Sequence, residues 1–226
     1  MDDGRKCHIK FYLLLIAHED GRSWDLYTYQ NAYLSVSPNK WSPTDLSSDT
    51  QVTIVRHPEL AAETKGWCQH WAAAYSSCKA GVATVIERAI MDGRKLQGRP
   101  GQKQFEVFSS DWMIDVHGKA WLFEFNMTPA ICQHGFALKN DEKLMRDALE
   151  IVIPSTSCSS NSGSAETAPS NAAAAAAKRL PRKIGLWDPA GQFTGPAMDA
   201  AAHRLHDEHV GTRGERCAVE KTSPTG

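Results

Sequence analysis

The chain has 226 residues, 42% of them apolar and 23% charged, which is material for one ordinary globular domain with some surplus and excludes a mini-protein that needs staples. Twenty-five Lys and Arg against twenty-six Asp and Glu leave a formal charge of −1, so the electrostatic case for a general nucleic-acid or anionic-membrane binder is absent. No stretch approaches the roughly 18 apolar residues that would cross a bilayer. The longest early run, Phe11 to Ala17, follows Arg5, Lys6 and Lys10, but its flank Ala17-His18-Glu19-Asp20-Gly21 offers no small-x-small cleavage site, so it is not read as a leader.

In chain order, Ile9 to Ala17 is a short apolar run with aromatic content and predicts a buried strand. Leu26-Tyr27-Thr28-Tyr29 and Ala32-Tyr33-Leu34-Ser35-Val36 flank Gln30-Asn31 and predict a hairpin or a bent strand pair. Trp67, Trp71 and Tyr75, then Val82, Val85, Ile86, Ala89 and Ile90, recur at steps of three and four and predict two amphipathic helices whose stripes are core. Asp92 through Gly101 reads as a polar loop, and Asp141 to Ile153 as a closing helix with Leu144, Met145, Ala148, Leu149 and Val152 on one face. After Pro154 the composition breaks. Ser155 to Ala177 is Ser, Ala, Thr, Asn and Gly without a large apolar side chain, and such a stretch buries too little surface to offset its ordering entropy. The organisation expected is therefore a folded unit over 1–154, a low-complexity linker over 155–182, and a mostly disordered tail over 183–226 with at most one short helix near Ala197 to His209. The six cysteines (7, 68, 78, 132, 158 and 217) form no Cys-x-x-Cys pair and read as reduced thiols, hence a cytoplasmic setting.

The chemistry concentrates between Phe105 and Pro129. Two apolar runs meet at His117-Gly118, where a two-residue hairpin loop fits the conformational tolerance of both residues. If Val116 faces Lys119, the register pairs Met113 with Leu122, Ile114 with Trp121, Trp112 with Phe123, and Asp111 with Glu124. On this reading Trp112, Phe123 and Phe125 fill one face, while Met113 and Leu122 continue the face that carries the acids. Opposed like charges on a ladder are destabilising and need compensation. Asn126 lies two residues beyond Glu124 on the same face. Two carboxylates and an amide oxygen from one rigid ribbon make a hard, oxygen-only set suited to Mg2+ or Mn2+, with positions left for water and phosphate. The competing reading makes Asp111 a strand start and Glu124 a solvated side chain.

The segment Phe105-Glu-Val-Phe-Ser-Ser-Asp111-Trp-Met-Ile-Asp115, followed by Trp121-Leu-Phe-Glu124-Phe-Asn126-Met-Thr-Pro129, resembles the carboxy-terminal signature of the tubulin-tyrosine ligase-like family. The usual family form is Phe-Glu-Leu-Phe-Gly-x-Asp-Phe-Met-Val-Asp, then Trp-Leu-Ile-Glu-Val-Asn-x-x-Pro. The thirteen-residue step from Asp111 to Glu124 and the two-residue step to Asn126 both match. The resemblance implies an α+β fold, namely the carboxy-terminal part of an ATP-grasp fold with an antiparallel sheet and flanking helices. It implies a ligase that uses ATP and Mg2+ to join a free amino acid to a protein carboxylate, on tubulin or another protein, through an acyl phosphate, in a cytoplasmic and microtubule-associated setting. Asp111, Glu124 and Asn126 would hold the cation at the ATP phosphates.

Arg5-Lys6-Cys7-His8-Ile9-Lys10 is similar to a family stretch Arg-Lys-Phe-Asp-Ile-Arg, which makes Lys6 a phosphate or substrate contact and Lys6 and Lys10 the candidate catalytic cations. Gln51-Val52-Thr53-Ile54 is similar to His-Leu-Thr-Asn and places Thr53 near the nucleotide. There are departures: His8 stands for Asp, Lys10 for Arg, Ile54 for Asn, and Ser35 for an Arg. Lys lacks the planar two-pronged contact of Arg. The resembling part starts at this first strand, so the other lobe of an ATP-grasp clamp is expected to lie outside it. The alternative reading is a catalytically silent relative that binds tubulin or another partner. His57, His70, His117 and His134 have no ligand-like spacing with the cysteines, and Cys132 with His134 is too little for zinc. Lys178-Arg179 and Arg182-Lys183 read as solvation of the linker rather than as a dock for an acidic tail.

Overall fold

The computed structural model describes residues 4–53, 59–64, 67–93, 96–115, 119–129, 131, 138–153 and 183–196. The expected linker over 155–182, the tail helix near 197–209, and the expected His117-Gly118 turn lie outside the described residues. Four strands at the amino end are β1 (Arg5–Ala17), β2 (Ser23–Tyr29), β3 (Tyr33–Lys40) and β4 (Glu59–Leu60), with the short helix α1 (Ser48–Gln51) before β4. The long helix α2 (Cys68–Asp92) leads to β5 (Gln104–Ile114) and β6 (Ala120–Asn126), then α3 (Leu138–Val152) and β7 (Trp187–Thr194). All described strand pairs are antiparallel, in one seven-stranded sheet.

β1 is the centre because its run from Phe11 to Ala17 is apolar on both faces, which suits a strand covered on both sides. Its odd residues Ile9, Phe11, Leu13 and Leu15 pack with α2, and its even residues Tyr12, Leu14 and Ile16 pack in a separate core with α3 and Trp187. Along one edge β1 pairs β5 from Ile9 to Ala17. The other edge carries both β3, opposite Cys7 to Lys10, and β2, opposite Leu13 to Ala17. The expected choice between a hairpin and a bent pair at Gln30-Asn31 thus resolves to a bent pair. β2 and β3 follow one another along the same edge, with Tyr29 to Ala32 set against only Phe11 and Tyr12.

Three further expectations change. The two predicted helices are one, because Cys78, fully buried, and Gly81 carry the stripe of Trp71, Ala74, Val82, Ile86 and Ile90 through the polar stretch between them. The helix ends at Gly93, whose φ of 65° supplies the left-handed cap while its N–H donates to the Ala89 and Ile90 carbonyls. On α3, Leu144, Ala148 and Val152 are buried as expected, but Leu149 is exposed, and Asp141 is buried where it accepts a bond from the Tyr33 hydroxyl at 2.8 Å. Finally, the sheet does not end with the 1–154 unit. β7, from the segment assigned to the tail, pairs β2 from Ser23 to Tyr29. Its Trp187 is 0% exposed and donates its indole N–H to the Leu144 carbonyl at 3.0 Å.

The β5–β6 ribbon keeps the expected register only in part. Ser109 faces Asn126, Ser110 faces Phe125 and Asp111 faces Glu124, as the pairing from the sequence requires. Beyond that, Trp112 faces Leu122, Met113 faces Trp121 and Ile114 faces Ala120, one residue off the expected pairs. Phe123 is the extra residue of a β-bulge, 59% exposed, and it flips the alternation of β6. Leu122, expected on the face of the acids, therefore packs with Phe125 and Ala120 on the α2 side. At the closed end the Asp115 N–H donates to the Lys119 carbonyl at 3.0 Å.

Candidate functional site

Strand alternation places Lys6, His8 and Lys10 on the face of β1 that carries Tyr12, Leu14 and Ile16 farther on. The face is thus polar where the strand begins and apolar where α3 covers it. Tyr33, Lys10, Asp111 and Glu124 form a single row across four strands, from β3 through β1 and β5 to β6. The next row is Tyr12, Ser109 and Asn126. The bulge at Phe123 leaves these two rows untouched.

The side chains converge. Lys10 Nζ lies 3.1 Å from Asp111 Oδ1, an ion pair whose partners are 20% and 16% exposed. Asn126 Nδ2 donates to Asp111 Oδ2 at 3.1 Å and to Glu124 Oε1 at 3.3 Å. The like-charge opposition expected between Asp111 and Glu124 is therefore compensated by an ammonium on one side and an amide bridge on the other. One atom of Asn126 reaches an oxygen of each carboxylate, so both acids face a common point. A half-turn of that amide puts Oδ1 there in place of Nδ2. The donor set is then three oxygens on a rigid ribbon, which fits a small hard cation such as Mg2+. Among the described residues no group of three His, Cys, Asp or Glu side chains is arranged for a metal, so the amide is needed to complete this set.

Lys6 and Thr53 stand beside this group rather than in it. Lys6 Nζ donates to the Gln51 carbonyl and to its side-chain Oε1, both at 3.1 Å. Thr53 Oγ1 and His8 Nδ1 are 2.5 Å apart. These three bonds tie the end of α1 and the residues just after it to β1. His8 sits in the field of the acids: burial lowers its pKa, Asp111 opposes that, Lys10 lowers it further and Glu124 opposes again, with the net direction downward. Reading the sequence singled out neither Gln51 as a partner of Lys6 nor Ser109 as a neighbour of Asn126. Ser109 was legible as the residue two before Asp111 on the same face, and Gln51 had no signal beyond its place in the motif.

Comparison with known proteins bears directly on this ribbon. Residues 55–161 match the tubulin-tyrosine ligase family. The match contains Asp111, Glu124 and Asn126, and leaves Lys6, Lys10 and Thr53 outside it. As the sequence motif implied, the chain resembles that ligase family where the acid and amide side chains meet. Among solved structures, it is similar to the C-terminal domain from K. lactis Pby1, described as an ATP-grasp enzyme interacting with the mRNA decapping enzyme Dcp2, with a TM-score of 0.52 and 21% identity. The similarity covers 67% of this chain and 43% of that one, so the chain spans less than half of the solved relative. At that identity the likeness speaks for the fold, an ATP-grasp C-terminal architecture of mixed α+β type. No curated protein matches the chain.

Proposed function

We propose that this chain carries the cation-binding and nucleotide-binding half of an ATP-dependent ligase of the tubulin-tyrosine ligase type, which joins a free amino acid to a carboxylate on a protein. The observation that supports it most is the meeting of Asp111, Glu124 and Asn126 around one point, with Lys10 closing the far side of Asp111. When bound there, Mg2+ with ATP would supply a phosphoryl group for activating a carboxylate, a reaction that depends mainly on positioning and charge neutralisation. In this chain Asp111 and Glu124 would hold the cation, Asn126 would offer its Oδ1, and Lys10 would offset the carboxylate charge and sit near incoming phosphate. Lys6 and Thr53, tied to Gln51 and His8, fit the wall beside the nucleotide. A protein acceptor, tubulin among the candidates, follows from the family likeness, and the described partnership of Pby1 with Dcp2 also joins this fold to a protein.

A second reading has one observation in its favour. Lys10 already neutralises Asp111 from within the chain, as a silent protein-binding relative would require. Calorimetric titration of the full chain with Mg2+ and ATP separates the two. The ligase reading expects saturable heat that disappears without Mg2+ and weakens at least roughly tenfold in Asp111→Ala and in Glu124→Ala. Absence of heat in the unmodified chain, or heat indifferent to both substitutions, would favour the silent binder. Incorporation of labelled tyrosine or glutamate into tubulin, with and without ATP, then tests the acceptor.

A further inference from the structure

Lys6, His8 and Lys10 alternate along the face of β1 that carries the candidate site, and their charges have different destinations. Lys6 Nζ is held by the Gln51 carbonyl and side chain, both at 3.1 Å. His8 has its pKa lowered, burial being the largest cause, and is neutral at neutral pH. Of the three, Lys10 is the one that forms an ion pair with an acid of the site, its Nζ lying 3.1 Å from Asp111 Oδ1. Both oxygens of Asp111 are therefore engaged, Oδ1 by the ammonium and Oδ2 by Asn126 Nδ2, and Glu124 accepts from the same amide. With Lys10 in place, two carboxylates and one ammonium leave one net negative charge where the acids alone would leave two. A divalent ion arriving alone thus meets half the attraction, and a like charge beside it.

We propose that Lys10 is an internal competitor for the cation: it holds Asp111 while the site is empty, and a divalent ion takes full hold of the acids only when the polyphosphate of a nucleotide draws the ammonium away. The inference rests on the reading of Asp111, Glu124 and Asn126 as the cation site, and adds to it a dependence of cation uptake on the nucleotide. A lysine suits such an exchange, because its ammonium is a compact charge on a flexible four-carbon stem and passes between neighbouring oxygens without moving its strand. Asp111, by contrast, is fixed by Asn126 and by the regular pairing of β5 with β1. The lysine is the moving part. The same contact accounts for a partly buried Asp111 in the cation-free chain, where a carboxylate left unpaired is costly. By linkage the coupling is mutual, so the cation strengthens nucleotide binding by the factor by which the nucleotide strengthens cation binding.

The test is binding of Mn2+ alone to the full chain, read from the loss of the free-ion electron paramagnetic resonance signal, in the unmodified protein and in Lys10→Met, which keeps the stem and removes the charge. Lys10→Met is expected to bind Mn2+ at least roughly tenfold more tightly, because the like charge beside the ion is gone. Lys10→Arg, still cationic, is expected to bind it no more tightly than the unmodified chain. In calorimetric titration with Mn2+ and ATP together, the advantage of Lys10→Met is expected to disappear, since the ammonium then lies on phosphate. An advantage that persists undiminished with ATP would overturn the proposal. So would a lower cation-free melting temperature in Lys10→Met with Mn2+ affinity unaltered or reduced, the mark of a merely structural ion pair. If Lys10→Met does not fold without a metal, Lys10→Gln, whose amide still donates to a carboxylate, takes its place with the same readouts. Uptake of Mn2+ by neither chain would overturn the cation-site reading and this proposal with it, whereas equal uptake by both, abolished by Asp111→Ala, would overturn this proposal alone.

Discussion

At the scale of single residues, the polar groups that matter here are those whose burial is matched by named partners. Asp188 on β7 accepts from Gln30 Nε2 at 2.7 Å and from the Tyr75 hydroxyl at 3.0 Å, and pairs with Lys183 Nζ at 3.0 Å. Burial pushes its pKa up, but the Gln30, Lys183 and Tyr75 bonds together outweigh burial and hold the carboxyl below its ordinary value. A carboxyl lowered in the folded state adds stability that is present above the unfolded value, near pH 4, and is lost as pH falls through the folded pKa. Melting temperature measured from pH 6 down to pH 2 is therefore expected to drop less steeply in Asp188→Asn than in the unmodified chain, and parallel acid limbs would contradict this. Cys78 illustrates the opposite case: burial raises its thiol to about 12, which makes it a small apolar core residue rather than a nucleophile.

Among elements, α2 and the β5–β6 ribbon are fitted through one contact. A Cβ built on Gly81 would lie 2.6 Å from Trp112 Cη2, and the indole is held in place by its N–H bond to Ser110 Oγ at 2.7 Å. Alanine in the middle of a helix ordinarily stabilises by about 1 kcal/mol relative to glycine. Here overpacking, typically about 1–3 kcal/mol, opposes that gain. Gly81→Ala is thus expected to be destabilising on balance, by about 1 kcal/mol, with a lower urea midpoint. A raised midpoint would show that Trp112 yields. The bulge at Phe123 acts at the same scale. By inserting one residue it turns Leu122 and Ala120 to the core beside α2, where Phe125 already lies, while Glu124 and Asn126 keep the site face by plain alternation.

For the molecule as a whole, the central issue is where the folded unit stops. α3 packs on the face of the sheet that carries the candidate site, β7 extends the sheet beside β2, and its Trp187 contacts Tyr29 at a ring separation of 5.0 Å while bonding α3. Replacing a buried tryptophan by alanine costs about 3–5 kcal/mol, a large share of the roughly 5–15 kcal/mol by which domains are stable. A chain ended after Ile153 is expected to lose at least as much, because β2 forfeits its ladder partner as well. Circular-dichroism melts of Trp187→Ala and of that truncated chain, each against the full chain, check this. A truncated chain that melts with the full one would mean that β7 adds nothing.

What local order in the sequence determined was whatever depends on short-range pattern: the buried run of β1, the stripes on α2 and α3, and the thirteen-residue step that sets Asp111 against Glu124. These follow from side-chain periodicity and strand register, which neighbouring residues dictate among themselves. Only the tertiary structure decided that β2 and β3 share one edge of β1, that a bulge sends Leu122 to the opposite face, and that Lys10, remote in sequence, neutralises Asp111. It also decided that β7 joins the sheet from beyond a low-complexity stretch. Such features depend on which edge lies vacant and which cavity an indole can fill, and neither is written in the local alternation of apolar and polar residues.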